Sequence, residues 1–395
     1  MIDNSLDTPV LFQPDKPQTS TQPAPVRQIG SDSAATCARE TDSKTLAARQ
    51  VSGQPKGSRK KGAKKKRAAA NPGPPHASAK QTVAQPRQVA SERTELLNKY
   101  LRQQNPMDLL SLQDRRDRRT IAQNTLALLQ APQTFPNDLL APPQSLKIMI
   151  RACTRETLTY TLDNEELYHR REQALKEASK QNTKIEVTFE TTLQACRRIK
   201  TQIGDAPVLC LNFASARNPG GGFQDGANAQ EESLARASAL HSSLSADQTM
   251  YIHNANEKNK RENLGLYSDV MIYSPQVPVF KDDTGKLVPP YPISFVSAPA
   301  INMSNTGKFS ADTIQRARNN RVEKILSIAA AHGYQHLILG AWGCGVFKNP
   351  PADVANCFAQ FLQPEKKFGT VFQTVTFAMT DLGLCQEFEQ RLIGD

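Results

Sequence analysis

A three-layer α/β fold, a sheet held between two layers of helices, is predicted for this chain of 395 residues by three observations. From Ile185 onward, short apolar runs alternate with helical segments, the pattern of strands joined by crossover helices. Two of the runs, Val208–Phe213 and His336–Leu339, are apolar almost throughout, as strands are when helices cover both faces. Each of these two runs leads into a glycine-rich loop, and α/β folds hold their ligands beyond the carboxyl ends of strands.

Helix-start chemistry at Ser91–Glu95, followed by Leu96, Leu97, Tyr100 and Leu101 at helical spacing, predicts that order begins there. A second helix is predicted over residues 117–130, with Ile121, Thr125, Leu128 and Leu129 along one stripe, and Pro132 to Pro143 ends it. Residues 145–150 read as a strand and 165–181 as a charged helix. A strand at 185–189 precedes a helix at 192–203 that has Leu193, Cys196 and Ile199 on one face. After the first buried strand, one helix is expected over 230–244. Residues 267–292, with prolines and a polar Lys281–Lys286 turn, suggest a rim hairpin narrowing a cleft. Strands at 294–298 and 370–377 and helices at 312–331, 351–362 and 385–392 complete the pattern. The 312–331 helix is stopped by His332-Gly333.

The formal charge of +11 is uneven, since residues 1–95 carry +8 and the other 300 residues only +3. Residues 1–90 contain ten Pro and neither Trp nor Tyr, too little apolar surface to offset the entropy of ordering. Three parts are therefore expected: a disordered basic tail at 1–90, a helical N-terminal extension at 91–145, and an α/β domain at 146–395. Seven of the nine residues from Arg59 to Arg67 are Lys or Arg. That block reads as a polyanion contact, a nuclear import signal or a membrane-surface patch, and equally as a solvated linker. No apolar stretch reaches the length of a membrane span, and no secretory signal is readable at Met1–Gly30. The seven Cys are scattered with no C-x-x-C pair, which points away from disulfide and zinc scaffolds and toward an intracellular, reducing compartment, cytoplasmic or, through the basic block, nuclear. No metal or cofactor is expected, and the chain is expected to be a monomer.

The two glycine loops are Asn212–Phe223, with Gly220, Gly221 and Gly222 in a row, and Gly340–Phe347, with Gly343 and Gly345 flanking Cys344. Glycine lets backbone N–H groups approach and bind a diphosphate. Neither loop is a P-loop or a dinucleotide fingerprint. A single such loop reads as a tight turn, whereas two in corresponding places on one sheet favour a nucleotide-diphosphate site. After seven intervening residues comes Gln230-Glu231-Glu232, at a predicted helix start. Acids there suit the helix dipole. Beside a diphosphate and partly desolvated, one of them is also suited to protonate a glycosidic leaving oxygen. His241 reads as structural, and Cys344 as a small residue packed under a loop.

Gly220-Gly221-Gly222 followed by Gln230-Glu231-Glu232 resembles the catalytic motif of poly(ADP-ribose) glycohydrolases. The flanking Asn212–Pro219 and Ser233–Leu240 resemble the bacterial-type branch, as do Asp114–Ala122 and Arg321 through Gly340–Pro350. The resemblance covers roughly residues 112–392, and the two glycine motifs together are specific. It implies a macrodomain-like mixed sheet with a helical extension, binding ADP-ribose without metal. Glu232 would be the general acid and Glu231 a neighbouring catalytic carboxyl. Gln230, Asn218 and the three glycines would bind near the scissile ribose. Gly343, Cys344, Gly345, Val346 and Phe347 would wrap the diphosphate and terminal ribose, and Asn302 would sit at a neighbouring strand end. Glu190 and Thr191 are candidates on the adenine side. Poly(ADP-ribose) or an ADP-ribosylated macromolecule is the expected partner and ADP-ribose the product. Two alternatives stay open: hydrolysis of mono-ADP-ribosyl conjugates, and an ADP-ribose reader without turnover, against which the intact paired acids argue.

Overall fold

The computed structural model describes residues 114–140, 145–162, 164–178 and 181–394. The predicted tail, its Arg59–Arg67 block and the helix expected from Ser91 lie outside these residues. Seven strands form one mixed sheet: β1 (Leu158–Tyr160), β2 (Lys184–Phe189), β3 (Val208–Phe213), β4 (Met271–Lys281), β5 (Leu287–Ala298), β6 (His336–Leu339) and β7 (Thr374–Met379), in the order β1-β4-β5-β3-β6-β7-β2. β1, β4 and β5 pair antiparallel, and β5, β3, β6, β7 and β2 run parallel.

Alternation within the parallel strands fills two cores. Leu209, Leu211, Leu337, Val375 and Phe377 point into one, Val208, Cys210, Ile338 and Ala378 into the other. The first core is closed by α3 (Glu165–Lys176), α9 (Ala311–Ala331), α10 (Pro351–Leu362) and α11 (Leu382–Leu392). The second is closed by α2 (Leu146–Arg155), α4 (Thr192–Ile203), α5 (Gln230–Ala237), α6 (Leu240–Ala246) and α7 (Thr249–Ala255). The predicted three layers are present. Outside them lies α1 (Arg115–Gln130), N-capped by Asp114, which accepts from Arg116 N at 2.7 Å. A short helix, α8 (Glu257–Asn263), follows α7.

Three readings are corrected. The strand expected at 145–150 is the first part of α2. Leu146, Ile150 and Cys153 form its buried stripe while Ile148 is 66% exposed, so the period is helical and not two. The helix expected over 230–244 is two helices, because Ser238 is extended and bridges Val279. The last strand starts later than predicted, at Thr374, after turns in which Phe368 and Phe372 stack. The hairpin exists as β4 and β5, closed by Asp282, whose Oδ1 accepts from Thr284 N and Lys286 N. Two register shifts interrupt it. Its arms are mostly buried, and its tip packs on Ile121 of α1 through Gly285 and on the start of α4 through Asp283.

Candidate active site

Three loops start side by side at one sheet edge. Phe213 pairs with Ala298 across β3 and β5, and a Cβ on Gly340, after β6, would stand 3.1 Å from the Phe213 ring. From Phe213 the chain enters the first glycine loop and then α5, whose first three side chains all turn back onto that loop. Gln230 replaces a ladder partner for the end of β3: its Oε1 accepts from Phe213 N at 2.9 Å and its Nε2 donates to Leu211 O at 2.8 Å. Glu231 is 3% exposed, with Oε2 accepting from Ser215 N at 2.6 Å and Oε1 from Asn212 Nδ2 at 3.3 Å. Burial pushes its carboxyl up to about 8, against the pull of those two donors, and the neighbouring Glu232 adds to the rise. Asn212 Oδ1 beside it is buried without a hydrogen-bond partner.

Glu232 is held at both oxygens by backbone. Oε1 accepts from Gly222 N at 3.0 Å, and Oε2 from Ala229 N at 3.1 Å. Gly221, at φ +60°, lies against both acids: a Cβ there would stand 2.2 Å from Glu232 Oε1 and 3.1 Å from Glu231 Oε2. Gly220 is buried on Phe223 and Ala235. Asn218 closes the turn with its carbonyl, which accepts from Gly221 N at 2.9 Å, and its own N–H donates to Ser215 Oγ at 3.1 Å.

The second loop is fastened to the strand end after β5. Gly343, at φ +77°, leaves no room for a Cβ between Ala300 and Asn349. Asn349 Nδ2 donates to Ile301 O at 2.6 Å and to Gly343 O at 3.1 Å, and Phe347 O accepts from Met303 N at 2.9 Å. Val346 is 77% exposed, and half-buried Phe347 packs on Tyr267 with ring centroids 6.0 Å apart. Around Gly345 the space for a Cβ is open. Burial pushes the Cys344 thiol up to about 12, which fits packing and not nucleophilic attack. Asn302 spends its side chain locally, accepting from Ser304 N at 3.2 Å.

The two adenine-side candidates each have partners within the chain. Buried Glu190 pairs with Arg198 at 2.7 Å. Thr191 caps α4 through Gln194 N at 3.0 Å and donates to Asp283 Oδ2 at 2.7 Å. His241 packs on Phe223 with ring centroids 5.0 Å apart, and burial lowers its pKa. Among the described residues, no three His, Cys, Asp or Glu side chains gather as metal ligands. Sequence reading did not assign roles to Asn212, Ser215 and Asn349. Asn212 carried a signal, a polar side chain inside an apolar strand, whereas Asn349 looked like an ordinary residue before prolines.

Residues 146–282 match the family model of the microbial-type poly(ADP-ribose) glycohydrolase (PARG) catalytic domain. The structure resembles the PARG of Thermomonospora curvata, with 39% identity over 69% of this chain and 98% of that one and a TM-score of 0.60. The same protein bound to the inhibitor ADP-HPD gives 40% identity, the same coverage and a TM-score of 0.59. The PARG of Deinococcus radiodurans in complex with ADP-ribose gives 36% identity over 62% of this chain and 96% of that one, with a TM-score of 0.54. Among curated proteins no match is found. Solved relatives spanned almost end to end at this identity leave one assignment: the chain belongs to the microbial-type poly(ADP-ribose) glycohydrolase family.

Proposed function

We propose that this chain is a glycosidase that hydrolyses poly(ADP-ribose) at its ribose–ribose bonds and releases ADP-ribose. The observation that carries the reading is Glu232, whose carboxyl is fixed at both oxygens over Gly221, in a chain 39% identical to a bacterial PARG. Glu232 acts as general acid on the leaving ribose oxygen as the anomeric carbon takes on oxocarbenium character, and then as base toward a water. Glu231, buried and protonated at neutral pH, adds no second negative charge beside the substrate's diphosphate. It also holds Ser215, and with it the entry to the first loop. Gln230 keeps α5 at the end of β3, so the acids cannot drift along the sheet edge. Gly220, Gly221 and Gly222 admit the scissile ribose. Gly343 to Phe347 take the diphosphate and terminal ribose, with Asn218 and Asn302 as turn supports at the rim. The 146–395 segment is the catalytic domain in this reading.

Among the described residues, no helix is long and apolar enough to cross a membrane. We place the protein inside the cell, where the six free cysteines of the described residues stay reduced.

The test is Glu232→Gln in the full chain, assayed for ADP-ribose release from long polymer and, in parallel, from mono-ADP-ribosylated protein. Release from polymer should fall by ~10²–10⁴-fold while ADP-ribose affinity and the fold remain. Activity within a few-fold of wild type would remove Glu232 from the role. A wild-type chain that binds ADP-ribose but releases none from either substrate would make it a reader.

A further inference from the structure

Three arginines converge on the loop that joins the catalytic glycines to the catalytic helix. Arg115 Nε donates to Asp225 O at 2.8 Å, Arg118 Nε to Gly226 O at 2.8 Å, and Arg236 Nη1 to Ala227 O at 2.6 Å. These are three successive carbonyls, gripped by two residues of α1 and one from the last turn of α5. Arg118 and Arg236 are both buried. The other bonds of Arg236 go to Asn228 Oδ1 and Ser233 Oγ, so all its acceptors named here are neutral. Burial, with Arg118 alongside, lowers the Arg236 guanidinium to about 10. Burying two guanidinium groups side by side is expensive even with the carboxylates of Glu232 and Asp283 acting on Arg236, so this is not a default way to pack a helix on a loop.

What the arginines hold explains the arrangement. The amides that fix Glu232 are Gly222 N and Ala229 N, at the two ends of the gripped loop. Movement of the loop centre would pass directly to both oxygens of that carboxyl. The approach is also backbone to backbone: Gly226, at φ +75°, would place a Cβ 2.3 Å from Arg115 O. Helix α1 is itself braced from behind. Thr125 Oγ1 donates to Arg236 O, and Lys281 Nζ, from the end of β4, donates to Thr125 Oγ1 at 2.7 Å.

We propose that Arg118, with Arg115 and Arg236, is a positioning residue of the hydrolysis: together they fix residues 222–229 so that the amides of Gly222 and Ala229 hold Glu232 at the scissile oxygen. The proposal rests on the reading of Glu232 as general acid. It gives the helix ahead of the sheet a part in turnover that does not require it to touch substrate.

The test uses the full chain with Arg118→Met, Arg118→Lys and Arg115→Met, and reads two quantities. The first is kcat on saturating polymer beside ADP-ribose affinity. Arg118→Met should lower kcat by about 10–100-fold, the scale of a small misplacement of a catalytic group, with affinity within about 3-fold of wild type. Arg118→Lys should recover part of the loss, since a lysine still reaches one carbonyl. Arg115 is exposed, so Arg115→Met is expected to fold, and it should lower kcat by about 3–10-fold. The second quantity is hydrogen exchange of the Gly222 and Ala229 amides without substrate, which should quicken by about 10-fold or more in Arg118→Met and less in Arg115→Met. If Arg118→Met does not fold, Arg115→Met decides on both readouts. Unchanged kcat and unchanged exchange in folded variants would overturn the proposal, as would equal losses of kcat and ADP-ribose affinity. An inactive wild type whose amides still lose protection in the variants would sink the reading of Glu232 and leave the clamp standing.

Discussion

Glu231 is a carboxyl with almost no access to water, and burial keeps its proton on although the two bonds that tie it to the loop favour the charged form. Its pKa is raised from the ordinary 4.5 to about 8 by burial, so the folded chain binds this proton more tightly than the unfolded chain does. The resulting stability is present in full below about pH 4.5 and is lost as pH rises through about 8. Glu231→Gln cannot titrate. Its stability relative to wild type should therefore improve between pH 5 and pH 9, by an amount on the order of a few kcal/mol. Denaturant unfolding of both chains at three pH values reads this out, and a difference that stays flat would mean a hydrated, charged Glu231. Phe347 offers a second residue-level check. Its ring leans on Tyr267 beside the open Gly345, so Phe347→Ala should lower kcat more than it weakens ADP-ribose. Equal losses would make its contribution uniform binding. Both residues were legible in the sequence because the chemistry is written as contiguous text, three glycines then Gln-Glu-Glu, and a glycine pair then Val-Phe. Asn349 was not, because its work consists of holding Ile301 O and Gly343 O, two carbonyls far apart in the chain.

At the level of elements, α5 and its glycine loop form one unit, and Gly221 is where they touch. A methyl group at Gly221 would meet Glu232 Oε1 at 2.2 Å on a backbone with φ +60°. Gly221→Ala should cost about 1–2 kcal/mol of stability through the strained φ. It should also lower activity by roughly 10²-fold or more by displacing the acid. Calorimetry beside a turnover assay separates the two, and near-normal turnover would show that the loop can give way without moving Glu232. The elements that sequence reading located well were those whose burial is local. α4 and α10 carry apolar stripes between clear starts and stops, and both were predicted to the residue. The errors came where a distant partner overrides local pattern. Nothing in Ala237-Ser238-Ala239 announces a break; the helix ends there because Ser238 bridges Val279. Four apolar residues in Leu146–Ile150 suit a strand as well as a helix, until Cys153 continues the helical stripe.

For the whole molecule, charge and topology set different expectations. Of the formal +11, the block at Arg59–Arg67 contributes +7, so neutralising it to Gln in the full chain should weaken binding of long polymer at low salt. The gap between the two chains should close as salt rises, and cleavage of short substrate should be unaffected. Titration at two salt concentrations checks this, and equal affinities at low salt would leave the block as a solvated linker. The mixed order of the sheet was legible only through resemblance, since alternation of strands and helices does not say which strands become neighbours. That order has a consequence for synthesis. β2 finds its partner in β7, with Glu186 and Thr376 in contact across 190 positions of sequence. Ribosomes add about 5–20 residues per second, so the edge of β2 waits roughly 10–40 s for the strand that covers it. Near the end of that interval β6 (His336–Leu339) has been made and lacks β7 as well, so two unpaired parallel edges are then open to a second nascent copy. Slowing translation just ahead of Thr374 should therefore raise the aggregated fraction more than an equal delay placed after Met379.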